Sequence, residues 1–227
     1  VSGARREIVI TIDGPAGAGK STVAAALAAR LGYTLIDTGA LYRGLAWAAR
    51  EARVPPEDGP ALRALLDRTE VRLERGRVLV DGRDVTAEIR TPAVTQLTSR
   101  LTMLAPVRDK MTPIQRSLAA AGGAVLEGRD TGSVVWPEAE VKFYLDADLD
   151  TRARRRRADL AARGIEADLA TVREDIARRD RQDTERALAP LVKPEGAVVV
   201  DTTGQGIAEV VDTLMRVVEQ ARCCTRS

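Results

Sequence analysis

Eight consecutive residues, Gly14-Pro15-Ala16-Gly17-Ala18-Gly19-Lys20-Ser21, follow the pattern GxxxxGK[ST]. These residue types suit a polyphosphate. The glycines let successive backbone N–H groups converge on phosphate oxygens, and a helix N-terminus behind the loop adds a favourable field. Lys20 would reach the β- and γ-phosphates, and Ser21 would offer its hydroxyl to Mg²⁺. The ATP-binding stretch is read as Gly14, Pro15, Ala16, Gly17, Ala18, Gly19, Lys20, Ser21 and Thr22. Lys20 is the only lysine before Lys110 in a chain of 31 arginines and 4 lysines. A compact ammonium at this one place fits a site too tight for a planar guanidinium.

A bound phosphoryl donor needs an acceptor and cations for the charge that moves. Four stretches could supply them. Asp37-Thr38-Gly39-Ala40-Leu41-Tyr42-Arg43 brings a hydroxyl, a ring and a guanidinium together. Arg43 could clamp a phosphate bidentately, or be an ordinary exposed arginine at a helix start. In Glu127-Gly128-Arg129-Asp130, Arg129 could pair with an acceptor phosphate, and Asp130 could accept from an exocyclic amine, as carboxylates do with cytosine N4. The alternative is a surface turn with a local ion pair. Leu169, Val172 and Ile176 form an apolar helical stripe whose continuation reaches Arg179, Asp183 and Arg186. A face that turns from apolar to charged fits a shielded polar site, and it also fits a solvated salt-bridge ladder. Finally, Arg152, Arg154, Arg155, Arg156 and Arg157 crowd one or two helical turns. A subset could close over the ATP phosphates as a mobile lid, the rest forming a solvated basic face.

Composition removes several classes of function. With no histidine there is no His general base, no HExxH zinc site and no Ser-His-Asp triad. With no asparagine there is no NKxD guanine reader and no protein-kinase catalytic loop. The poor Walker-B likeness of Val125-Leu126-Glu127 argues against a motor or transporter ATPase. The two cysteines, Cys223 and Cys224, are adjacent, so neither a disulfide scaffold nor a four-cysteine metal site is available. A reducing cytoplasm is the expected location. The net charge of +2 and 3% aromatics argue against nucleic acid as the main ligand. The longest apolar run, Val23 to Ala29, falls far short of the ~18–20 residues of a membrane span. No membrane partner is expected, and no signal-like segment opens the sequence.

These side chains need elements to hold them. A β-branched run from Glu7 to Asp13, then the glycine loop, then an Ala-rich helix from Lys20 to Leu31 opens a βαβ unit. Tyr33 to Asp37 reads as a second strand and Gly39 to Arg53 as a helix ending before Pro55-Pro56. A short helix over Ala61 to Asp67 precedes a hairpin in which Val71–Leu73 and Val78–Val80 flank Arg75-Gly76. Thr91-Pro92 reads as a helix start. A further helix follows Pro106, with Pro113 either kinking or restarting it. Ala124–Leu126, Val141–Leu145 and Ala197–Val200 read as buried strands, each followed by an acid: Glu127, Asp146 and Asp201. Five strands of this kind fit an open α/β sheet with ligands at its carboxyl edge. An amphipathic helix through Ile207, Val210, Val211, Leu214, Val217 and Val218 closes it.

The phosphate loop, DTGALYR (37–43), EIRTP (88–92), EGRDTGSVVWP (127–137), VKFYLDAD (141–148), the arginine-rich segment, RRDRQDTERALAPL (178–191) and VVVDTT (198–203) together resemble the bacterial cytidylate kinases over residues 6–222. The resemblance implies an α/β fold of the P-loop NTPase class, with an adenylate-kinase-like five-stranded parallel sheet flanked by helices, a nucleoside-monophosphate-binding insert lobe and a lid. Its expected division is core at 6–54, insert lobe at 55–110, core at 111–150, lid at 151–170, core at 171–222 and a disordered tail at 223–227. The implied activity is Mg²⁺-dependent transfer of the γ-phosphoryl group of ATP to CMP or dCMP. Thr38, Arg43 and Arg129 would hold the acceptor phosphate, with Tyr42 lining its site. Ser99, Arg108 and Asp130 would read the cytosine edge. Arg179, Asp183 and Arg186 would hold ribose and phosphate, and Lys20, Arg155 and Arg156 would stabilise the transferred group.

The sequence departs from that pattern in places. Thr38 stands where serine is frequent, Thr131 where Met or Ile is usual, and Trp136 where Phe is common. Rival readings are a kinase for another nucleotide or a small metabolite such as shikimate, and a basic RNA-binding module with a vestigial loop. The expected partners are ATP and CMP or dCMP, and the expected state is a monomer.

Overall fold

The computed structural model describes residues 7–224. Its central strand, β1 (Val9–Asp13), is buried at every residue, as a strand covered on both faces must be. α1 (Lys20–Leu31) follows the glycine loop and ends at Gly32, whose left-handed backbone (φ 70°) returns its N–H to the carbonyls of Ala28 and Ala29. β2 (Thr34–Asp37) passes directly into α2 (Thr38–Glu51), because Asp37 caps that helix and accepts from the Ala40 N–H at 2.7 Å.

Next come α3 (Pro60–Arg68) and the antiparallel strands β3 (Val71–Glu74), β4 (Arg77–Val80) and β5 (Arg83–Asp84). Arg75 and Gly76 both have positive φ (50° and 78°), as a tight hairpin turn requires. β5 is absent from the sequence reading. It forms because Asp81-Gly82 makes a second such turn, with φ of 48° and 80°. α4 (Pro92–Leu101) starts on Thr91, whose hydroxyl accepts from the Val94 N–H. α5 (Ala105–Ala119) runs through Pro113 as one helix, so the proline does not restart it. The chain finishes with β6 (Ala124–Glu127), a π-helical turn (Thr131–Val135), β7 (Val141–Asp146), α6 (Leu149–Ala161), α7 (Leu169–Glu185), β8 (Val198–Asp201) and α8 (Ile207–Cys224).

Five strands form one parallel sheet in the order β2-β6-β1-β7-β8. Each ends on a carboxylate: Asp37, Glu127, Asp13, Asp146 and Asp201. The chain leaves β1 for one side of the sheet and later fills the other. The loop after β1 therefore sits at the topological switch point, where such sheets bind ligands.

The chain divides into two compact units. The first comprises Val1–Leu35, Ala121–Glu185 and Ala189–Ser227. Its core joins Ile10, Ile12, Leu27, Phe143, Leu145 and Leu214. The second comprises Ile36–Ala120 and Arg186–Leu188, with a core through Leu41, Leu45, Leu62, Val78, Ile89, Leu101 and Met111. It begins earlier than the insert read from sequence because α2 packs on the hairpin. A Cβ at Gly44 would lie 2.8 Å from Val78 Cγ1. The Pro55-Pro56 pair ends a helix but not a packing unit.

α8 continues through Cys223 to Cys224, two residues into the stretch read as a tail, and residues 225–227 lie outside the described ones. Among the described residues no helix is long and apolar enough to cross a membrane.

Candidate active site

The glycine loop lies tight against its own unit. A Cβ at Gly14 (φ 145°) would sit 2.0 Å from the Leu145 carbonyl oxygen, so only glycine lets the chain cross β7 here. Gly17 and Gly19 are left-handed (φ 79° and 86°), and Gly19 is the N-cap of α1. Pro15, Ala16 and Ala18 are buried, while Ser21 and Thr22 are exposed. Lys20 is buried and donates from Nζ to the Pro15 carbonyl at 2.7 Å, arching back over the loop. Burial lowers its pKa most, Arg129 and Arg179 lower it further, and Glu127 and Asp13 oppose them. The result is about 7. Ser21 Oγ donates to Glu127 Oε1 at 2.7 Å.

At the end of β1, the Asp13 carboxylate accepts from Thr131 N (2.8 Å), Thr131 Oγ1 (2.9 Å) and Gly132 N (2.7 Å). Burial raises its pKa, and those three bonds offset the rise only in part. They fix the backbone immediately after Arg129 and Asp130. Thr131, one of the departures noted above, supplies two of the three donors, and its hydroxyl is the one that Met or Ile would lack.

Arg129 and Asp183, expected as separate ligand contacts, are bound to each other, Nε to Oδ2 at 2.9 Å. Burial works against the Arg129 charge. Asp183, Glu127 and Asp180 outweigh it and hold the guanidinium above its ordinary value. Asp130 is buried and Arg179 half-buried. Arg155 is forked onto Thr202, Nη1 to the hydroxyl (2.8 Å) and Nη2 to the carbonyl (2.7 Å). Thr202 Oγ1 in turn lies 3.2 Å from the Ala18 carbonyl of the loop. Arg156 is half-buried, whereas Arg154 and Arg157 are exposed.

The second unit carries its own polar set. Thr38 is the first residue of α2, and Tyr42 and Arg43 lie one turn on. Arg43 Nη2 pairs with Asp37 Oδ2 at 3.0 Å, and its buried Nε has no hydrogen-bond partner. A Cβ at Gly39 would lie 3.1 Å from Arg43 Nη1, so the missing side chain is what lets the guanidinium fold back over the helix start. Arg108 donates to the Thr102 carbonyl at 3.1 Å and lies 5.9 Å from the Tyr42 ring centroid. Ser99, half-buried, donates to the Thr95 carbonyl at 3.3 Å. Arg186 is buried and groups with this unit.

Four residues around the loop were missed by the sequence reading as site residues: Glu127, Asp13, Asp180 and Thr202. Glu127 and Asp13 carried a signal, since both are acids ending buried strands. Asp180 sits inside a charged run and Thr202 in an ordinary Asp-Thr-Thr turn, and neither carries a local signal.

A parallel five-stranded sheet with this loop, lysine and hydroxyl at its switch point defines a P-loop kinase fold. The cytidylate kinase family model matches residues 10–220. The cytidylate kinase of Symbiobacterium thermophilum is 52% identical over 216 residues, 93% of this chain and 96% of that protein. That of Geobacter sulfurreducens is 44% identical over 225 residues, 97% of each. A bifunctional pantoate ligase/cytidylate kinase of Synechococcus elongatus is 46% identical over 93% of this chain and 42% of its own length. Among solved structures, one from Thermus thermophilus aligns with a TM-score of 0.53 at 21% identity, covering 95% of this chain and 98% of that one. It shows the fold alone. The chain belongs to the cytidylate kinase family and is a phosphotransferase.

Proposed function

We propose that the protein transfers the γ-phosphoryl group of ATP to CMP or dCMP, giving CDP or dCDP and ADP, in a direct in-line step that requires Mg²⁺. The observation that carries this is the phosphate loop with Lys20 and the Ser21–Glu127 pair, in one compact unit with Arg129 and Asp130.

Lys20, with the backbone amides of residues 17–21, binds the β- and γ-phosphates. Binding adds negative charge beside Lys20, which offsets the burial and the arginines that depress it and holds it protonated. Arg155 and Arg156 add positive charge where the transferred group moves, and Arg155 exchanges Thr202 for it. Arg43, Thr38 and Arg129 take the acceptor phosphate, beside Tyr42. Arg43 and Arg129 each have a carboxylate partner to exchange for it, Asp37 and Asp183. Asp130, Ser99 and Arg108 read the cytosine edge, and Arg179, Asp183 and Arg186 hold ribose and phosphate.

The donor set fits Mg²⁺, a hard cation that takes oxygen ligands and is bound through few protein groups plus phosphates and water. Ser21 would hold it, with Glu127 orienting the Ser21 hydroxyl. When bound, the ion would neutralise charge on the β- and γ-phosphates. No group of three or more His, Cys, Asp or Glu is poised for a metal among the described residues, and a phosphate-borne ion needs none.

With no histidine anywhere in the chain, a phosphohistidine relay is excluded, and direct transfer between the two bound nucleotides needs no carrier on the protein. The test is γ-labelled ATP with and without CMP. Label is expected in CDP and none on the protein. Labelled protein formed with ATP alone would contradict direct transfer.

A further inference from the structure

The arginine-rich segment contains one residue that its neighbours do not resemble. Arg152 is buried, its side chain only 10% exposed. Its Nε donates to the Ala147 carbonyl (2.9 Å), and Nη1 donates to the Ala16 carbonyl (3.1 Å) and to the Asp180 carboxylate. The other oxygen of Asp180 accepts the Ala16 N–H at 3.1 Å. Ala16 in the phosphate loop is thus held on both its N–H and its carbonyl by one ion pair, with Arg152 on α6 and Asp180 on α7. Packing reinforces the hold. The Ala16 methyl lies in an apolar cluster with Ala153, Val172 and Ile176 of the same two helices. A Cβ at Gly17 would fall 2.9 Å from the Arg152 carbonyl oxygen, so the loop runs directly against the start of α6.

We propose that Arg152 and Asp180 are positioning residues for the nucleotide, touching neither substrate. They fix the Ala16 backbone and thereby aim the amides that follow it at the phosphates. This rests on the reading that the loop binds ATP. It separates Arg152 from Arg155 and Arg156, because its Nε and Nη1 are already committed to backbone and carboxylate within its own unit. A buried ion pair that also satisfies a backbone N–H and a backbone carbonyl sets geometry more than it adds net stability. The larger consequence falls at the ATP end, because the hydrogen bonds of the pair go to Ala16, Ala147 and each other, while toward the acceptor set Asp180 acts on Arg129 only through its charge.

The test is calorimetric titration of ADP without metal, together with separate KM values for ATP and CMP, on Asp180→Ala, Asp180→Asn and Arg152→Lys. Asp180→Ala is expected to weaken ADP about tenfold, in the range seen when an orienting partner is lost, and to raise the ATP KM in parallel. The CMP KM is expected to stay within about twofold. Asp180→Asn keeps an oxygen for the Ala16 N–H and should recover part of the loss. Arg152→Lys should not recover it, because one ammonium cannot serve Ala147 and Ala16 in the fork geometry. Unchanged ADP affinity in the folded variants would overturn the proposal, as would equal rises in both KM values. If Asp180→Ala does not fold, the near-isosteric Asp180→Asn decides by the same split. Wild type that binds ADP but ignores CMP would remove the acceptor reading and leave this pair standing. Wild type that binds no ADP would remove both.

Discussion

Ser21 Oγ donates its proton to Glu127 Oε1 across 2.7 Å, joining the end of the phosphate loop to the end of β6. The hydroxyl hydrogen is committed to the carboxylate, so the oxygen lone pairs are left for a cation. Glu127→Gln should therefore raise the Mg²⁺ concentration needed for half-maximal rate by about tenfold, the usual cost of losing a partner that orients a metal ligand. Thermal stability should change little. A Mg²⁺ titration of the steady-state rate checks this, and an unchanged midpoint would show that Glu127 does not orient Ser21.

Lys20 is a buried cation whose pKa is lowered to about 7 from an ordinary 10.5. Between those values the unfolded chain binds more protons than the folded one, so stability rises with pH across that window. Below about 7 the folded protein carries the full cost of the buried charge. Lys20→Met should be inactive yet folded. Near pH 6 it should be at least as stable as wild type, and the gap should close as the pH rises toward 10. Urea unfolding at several pH values reads the gap directly. A gap that widened with rising pH would contradict the depressed lysine.

Much of this arrangement was legible in the sequence because it depends on local pattern. The β1–loop–α1 order follows from a β-branched run, glycines and an Ala-rich stretch, and the five strands follow from short apolar runs ending on acids. The stripe Leu169, Val172, Ile176 does turn from apolar to polar. Val172 and Ile176 are buried, and Asp183 further along is buried and ion-paired. Other features depend on partners far apart in the chain and left no local trace. Asp180 meets Ala16 across 164 residues, and Arg155 meets Thr202 across 47. Pro55-Pro56 marked a helix end correctly but not a unit boundary, because α2 packs on the hairpin.

Asp130 is buried beside a backbone that Asp13 fixes through Thr131 and Gly132. Asp130→Ala should lose base discrimination more than fold. The preference for CMP over UMP should fall by about tenfold or more, the scale of one lost hydrogen-bonded base contact. Paired kcat/KM values on the two acceptors measure it. A preserved ratio would move base reading elsewhere.

Two glycine substitutions should separate steric from conformational cost. At Gly32 (φ 70°) a Cβ meets nothing within 4 Å, so Gly32→Ala should cost about 1–2 kcal/mol of left-handed strain and leave activity intact. At Gly14 the Cβ meets the Leu145 oxygen at 2.0 Å, so Gly14→Ala should abolish folding or cost more than ~3 kcal/mol. Denaturant midpoints compare them, and similar losses at both positions would contradict the packing of the loop on β7.

ADP formation from ATP and Mg²⁺, with CMP, dCMP, UMP, AMP and shikimate offered in parallel, tests the assignment of donor and acceptor together. Fast turnover on CMP and dCMP with UMP far slower is the predicted result. Fast turnover on any other acceptor, with CMP inert, would contradict it.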